Sequence, residues 1–87
     1  MSEIIIADGP ARTSVPGQWR VSLSEPPSAA WRDRLLELAA ADPVAAALRI
    51  ELEGASLFFM CGNTTREVVP GLGVLYKLFR DANLPLR

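Results

Sequence analysis

Histidine is absent from this chain. That one absence removes the commonest general base, the commonest metal ligand and the commonest switch near neutral pH. Cysteine occurs once, at Cys61. A single thiol excludes an intrachain disulfide framework and a thiolate metal cage. Lysine also occurs once, at Lys77, against eight arginines. With abundant alanine, this reads as the coding bias of a GC-rich, bacterial genome and not as a functional sign. An excess of charge is missing too. A net charge of −1 gives no reason to expect attraction to nucleic acid or to anionic lipid. Long apolar runs are missing: Ile4-Ile5-Ile6 has no basic flank and is far shorter than a membrane span. Neither a signal peptide nor a membrane segment is expected, and the default location is cytoplasmic. The acidic residues have no EF-hand spacing. No metal and no cofactor is expected.

What the chain does have is enough apolar material to fold. Its hydrophobic content of 49% argues against disorder. At 87 residues it is read as one domain, residues 1–87, with a core that is adequate but not generous.

The strongest local signal is Ala47 to Gly62, ALRIELEGASLFFMCG. Leu48, Ile50 and Leu52 alternate with Arg49, Glu51 and Glu53, the pattern of a strand with one wet face. Gly54-Ala55 supplies a two-residue turn, with Gly54 at the first central position of a type II′ hairpin. The returning arm, Leu57 to Cys61, does not alternate and is apolar on both faces, so both faces are expected to be covered.

A looser hairpin comes first. Ile4 to Ala7 is short and β-branched, and Asp8-Gly9-Pro10 breaks it or inserts a turn. Ala11 to Val15 reads as an irregular edge, and Pro16-Gly17 as a turn. In Gln18 to Ser24, Trp19, Val21 and Leu23 point one way and Arg20, Ser22 and Ser24 the other.

Each hairpin leads into a helix. Ala29 to Ala41 carries a stripe of Trp31, Leu35 and Leu38, widened by Leu36 and Ala39, with Ser28 available as a cap. Asp42-Pro43 ends it or caps one short turn. The second helix bears Leu72, Leu75, Phe79 and Ala82. Thr64 and Glu67 have capping-box spacing, but Pro70 would remove a bond inside a helix begun there. The expectation is a short turn at Thr64 and a main helix from Pro70. The predicted fold is therefore α+β, in the order ββαββα: one four-stranded antiparallel sheet with two helices on one face. Each half is a ββα unit, and the two halves match only weakly in sequence.

Candidates for chemistry are few. Cys61 precedes a helix start, where a thiol can become nucleophilic. The segment from Cys61 through Thr64 to Arg66 resembles the phosphate loop of cysteine-dependent phosphatases only superficially, because its Cys-to-Arg spacing is one residue short. A small buried hydrophobe is the simpler reading of such a cysteine. Gly71-Leu72-Gly73 lacks the third glycine and the preceding strand of a dinucleotide fingerprint, and reads as glycines for close helix–sheet packing. Glu51 and Glu53 on one strand face are solvated charges before they are an acid–base pair. Arg20, Arg49 and Arg66 with Phe58 or Phe59 could clamp single-stranded nucleic acid. RNA-recognition folds of that kind have the order βαββαβ, however, and the net charge argues against it.

The apolar excess remains. If one face of the second hairpin packs on helices, Phe58 and Met60 lie on the other. Arg20, Arg49 and Glu51 would then rim an apolar contact surface. The expected function is a small non-catalytic interaction protein, binding itself as a homodimer or another protein partner through the open sheet face. The alternative is a ligand-binding domain or thiol-dependent enzyme using the loop from Cys61 to Arg66.

Overall fold

The computed structural model describes residues 4–62 and 64–84. Within it the chain runs β1 (Ile6–Arg12), β2 (Gln18–Leu23), α1 (Ala29–Ala41), α2 (Pro43–Ala46), β3 (Glu51–Glu53), β4 (Ser56–Met60) and α3 (Thr65–Asn83). The four strands form one antiparallel sheet in the order β1-β2-β4-β3. The fold is α+β, with the two long helices on one face. Each hairpin contributes one central strand, β2 or β4, and these pair with each other from Gln18 opposite Met60 to Ser22 opposite Ser56. The strand order is thus the same read from either edge inward, as two ββα units placed side by side would produce.

Alternation decides which side is buried. Trp19, Val21 and Leu23 of β2 and Leu57 and Phe59 of β4 share one face and are all buried. Leu35 and Ala39 of α1 and Leu75, Leu78 and Phe79 of α3 complete the same core. Trp31 meets Phe79 edge-on, with ring centroids 5.2 Å apart at 84°. That contact is worth about 1 kcal/mol beyond the area it buries. Leu36 belongs to the exposed side of α1 and does not widen the stripe.

The local signals for turns and caps hold. Ser28 caps α1 by accepting from the Trp31 N–H at 3.2 Å, and Asp42 caps α2 by accepting from the Val44 N–H at 2.9 Å. Gly54 has φ 59 in the two-residue turn between β3 and β4, while Ala55 keeps a negative φ. That matches the type II′ turn. The Gln18 N–H closes the Pro16-Gly17 turn on the Val15 carbonyl at 3.1 Å.

Three boundaries differ from the sequence reading. Strand β1 begins at Ile6 and passes through Asp8-Gly9-Pro10, because register shifts between Ile6 and Asp8 and between Asp8 and Ala11 absorb those residues as an irregularity in a paired strand. Strand β3 covers only Glu51–Glu53. Leu48 is buried in the turn that closes α2, and its carbonyl accepts from the Met60 N–H at 2.6 Å. Helix α3 starts at Thr65 and contains Pro70, instead of starting at Pro70. The reason is Val68, which is 3% exposed and begins a stripe that continues through Leu75, Leu78 and Ala82 at helical spacing. Burying Val68 on the first turn, together with the Thr64 cap, offsets the one ladder bond that Pro70 removes. Pro70 itself lies on the exposed side.

Candidate functional site

The face of the sheet opposite the helices carries four of the five expected contact residues, three in one cross-strand row and Met60 in the next. Arg20 on β2 pairs with Phe58 on β4, and Phe58 pairs with Glu51 on β3. One row across three strands therefore reads Arg20, Phe58, Glu51. The next row pairs Gln18 with Met60, and on the other side Ser22, Ser56 and Glu53 line up. Adjacent strands lie about 4.8 Å apart, so Arg20 and Glu51 are separated by roughly 10 Å with the Phe58 ring between them. Arg20 and Glu51 are exposed, while Phe58 and Met60 are half-buried. The two side chains lie beside their cross-strand neighbours, and among the described residues no helix crosses this face.

Arg49 does not join the row. It lies outside β3, in the connection from α2, with a left-handed φ of 50. Its N–H donates to the Ala46 carbonyl at 3.2 Å, so its backbone belongs to the end of α2. The alternation that suggested a strand face at Arg49 is broken by that turn.

Of the residues from Cys61 to Arg66, Asn63 lies outside the described residues, and Thr64 with the residues after it forms a helix start. The Thr64 hydroxyl accepts from the Glu67 N–H at 3.2 Å, and Arg66 is exposed on the first turn of α3. The Cys61 thiol donates to the Glu67 carbonyl at 3.0 Å. Desolvation by burial raises the Cys61 pKa above its ordinary value and the nearby Glu67 carboxylate adds to this, while the Gly71 N–H works against both. A raised pKa keeps the group as the thiol, the less nucleophilic form. Gly71 is the glycine that permits close packing: a β-carbon there would come within 2.5 Å of the Cys61 sulfur. Gly73 has no such role, because a β-carbon added there would meet nothing within 4 Å. Among the described residues, no three His, Cys, Asp or Glu side chains gather as metal ligands. No helix among them is long and apolar enough to cross a membrane.

A second apolar surface lies on the helix side, between the start of β1 and the end of α3. It is a groove of about 330 Å³ whose walls include Ile5, Tyr76, Arg80 and Leu84. Ile5, Tyr76 and Leu84 are 54%, 58% and 53% exposed, so this groove leaves more apolar side chain in water than the sheet face does. Part of it was legible, since three consecutive isoleucines in an extended segment must send one side chain away from the core. Tyr76 carried no signal, standing with Lys77 and Arg80 among the exposed positions of α3.

Comparison of the chain with protein-family models, with curated proteins and with solved structures found no match.

Proposed function

We propose that this chain is a small non-catalytic interaction protein that associates with a protein partner, here a second copy of itself, through the open face of its sheet. The observation that carries this reading is the position of Phe58 and Met60 on the face that no helix among the described residues covers, with Phe58 between the exposed charges of Arg20 and Glu51. An apolar centre with a charged rim is the composition of a protein contact surface. The alternative, thiol chemistry at the loop from Cys61 to Arg66, has less behind it, since the thiol is hydrogen-bonded to helix backbone and its pKa is raised.

The test is the mass of the protein in solution as a function of concentration. The expected result is reversible self-association that Phe58→Asp and Met60→Asp each abolish while the monomer stays folded. A chain that stays monomeric up to about 1 mM, the range where weak contacts are still populated, overturns the proposal. So does association that both substitutions leave intact.

A further inference from the structure

The order of charges along the central row points to one particular arrangement of the two copies. Resting on the self-association reading above, we infer that they meet face to face about a two-fold axis running along β4. Arg20 of each copy then faces the partner's Glu51, on either side of two stacked Phe58 rings.

The argument is one of symmetry. Across the row the sequence of side chains is cation, ring, carboxylate, from β2 through β4 to β3. Packed sheets keep their strand directions within about 30° of each other. Two simple two-fold axes in the interface plane satisfy that condition. An axis lying along the row sets Arg20 on the partner's Arg20 and Glu51 on the partner's Glu51, so both ends of the row oppose like charges. An axis along β4 reverses the row in the second copy and makes both ends complementary. It also sets Glu53 opposite the partner's Ser22, a hydroxyl that can donate to the carboxylate. Such an interface is isologous, each contact occurring twice.

The charges are available for this. Among the described residues, neither Arg20 nor Glu51 takes part in an ion pair within the chain. Each is exposed, and they stand on opposite sides of Phe58. Like charges facing across a contact are strongly unfavourable, so the charge order selects the register as much as it adds attraction.

The size of the patch sets the strength. Three strands spaced about 4.8 Å apart and five residues of about 3.4 Å each give a patch roughly 15 Å on a side. That is well below the ~800 Å² per partner of a stable complex. The dimer is therefore weak, in rapid exchange, and consistent with Phe58 and Met60 being half-buried in the single chain.

Charge exchange tests the arrangement. Sedimentation equilibrium would be run at low salt up to about 1 mM on Arg20→Glu, on Glu51→Arg, on their equimolar mixture and on the chain carrying both. Each single reversal places like charges in both symmetric contacts and is expected to weaken self-association about tenfold or more. The mixture is expected to recover the wild-type affinity as a heterodimer, because one chain then offers two carboxylates and the other two cations. The doubly substituted chain is expected to recover it as a homodimer. Both positions are exposed, and a cooperative melt for each variant confirms that it is folded. If Phe58→Asp abolishes association but neither the mixture nor the double variant recovers it, the two-fold arrangement is overturned and self-association through the face stands. If Phe58→Asp and Met60→Asp change nothing, or the wild type never associates, the reading beneath it falls as well.

Discussion

The Cys61 thiol is held against the backbone of α3, donating to the Glu67 carbonyl at 3.0 Å with its sulfur packed close to Gly71. In a regular helix the Glu67 carbonyl and the Gly71 N–H would be each other's partners, four residues apart. Pro70 stands between them and withholds its own donor from the neighbouring rung. The side chain of the strand end thus packs on the first turns of the helix, one residue beyond the Arg66 carbonyl that loses its ladder donor to Pro70. The single cysteine of the chain has a structural role where the strand end packs against the helix.

This contact makes the two glycines of α3 opposite in kind. Gly71→Ala is expected to destabilise the fold by about 1–3 kcal/mol, because the new methyl group overpacks against the Cys61 sulfur. In a Cys61→Ala background the same change should cost far less, since the obstructing atom is gone and alanine favours the helix by about 1 kcal/mol. Gly73→Ala has open space around it and should stabilise by about 1 kcal/mol. Urea unfolding of the four variants and the wild type measures both the signs and the coupling. Equal costs for Gly71→Ala with and without the thiol would refute the packing account.

The raised pKa of Cys61 has a definite sign in the pH dependence of stability. In the folded chain the thiol keeps its proton to higher pH than in the unfolded chain, whose value is near 9.0. The associated stability is complete below that value and is lost as pH rises through the folded-state pKa. Unfolding free energy should therefore fall as pH is taken above about 9, and Cys61→Ala should remove that part of the fall. Thiol labelling of the folded protein at pH 7.5 should also be slower than labelling of a free cysteine peptide. Faster labelling would point back to a reactive thiolate.

Asn83 ties both ends of the described chain to α1. Its Oδ1 accepts from the Ile4 N–H at 3.1 Å and from Trp31 Nε1–H at 2.9 Å, and its Nδ2–H donates to the Ile4 carbonyl at 2.9 Å. Asn83→Ala is expected to cost about 2 kcal/mol, chiefly by leaving the half-buried indole N–H and the Ile4 backbone without these partners. Asn83→Asp keeps the acceptor and loses the donor, and should cost less at neutral pH. Thermal unfolding ranks the two, and hydrogen exchange at the Ile4 amide reports whether the N-terminal segment is released.

Much of the architecture was legible in local patterns. The alternation of Trp19, Val21 and Leu23, the caps at Ser28 and Thr64, and the Gly54-Ala55 turn each specify their element through contacts only a few residues apart. The failures have one cause. Local propensity misplaces Pro70 and the run from Leu48 to Ile50, and in both places burial of a distant partner surface decides otherwise. Val68 continues the helix past Pro70 because its side chain reaches the core. Leu48 leaves the strand pattern because it is buried in the turn closing α2. For the candidate site, the residue types were readable from the sequence but their alignment was not. The row Arg20, Phe58, Glu51 exists only because β2 pairs with β4 in one register.

The sequence by itself determined the chemical character of this protein: no histidine, a lone thiol, near-neutral charge, and two ββα units with amphipathic helices. Composition and short-range spacing suffice for that, because propensity, capping and turn geometry act within a few residues. The strand order β1-β2-β4-β3, the passage of α3 through Pro70, the seating of Cys61 against Gly71 and the charge order across the open face were decided only by the tertiary structure. Each depends on segments distant in sequence burying one another, and the free energy of that burial outweighs the local preferences it overrides.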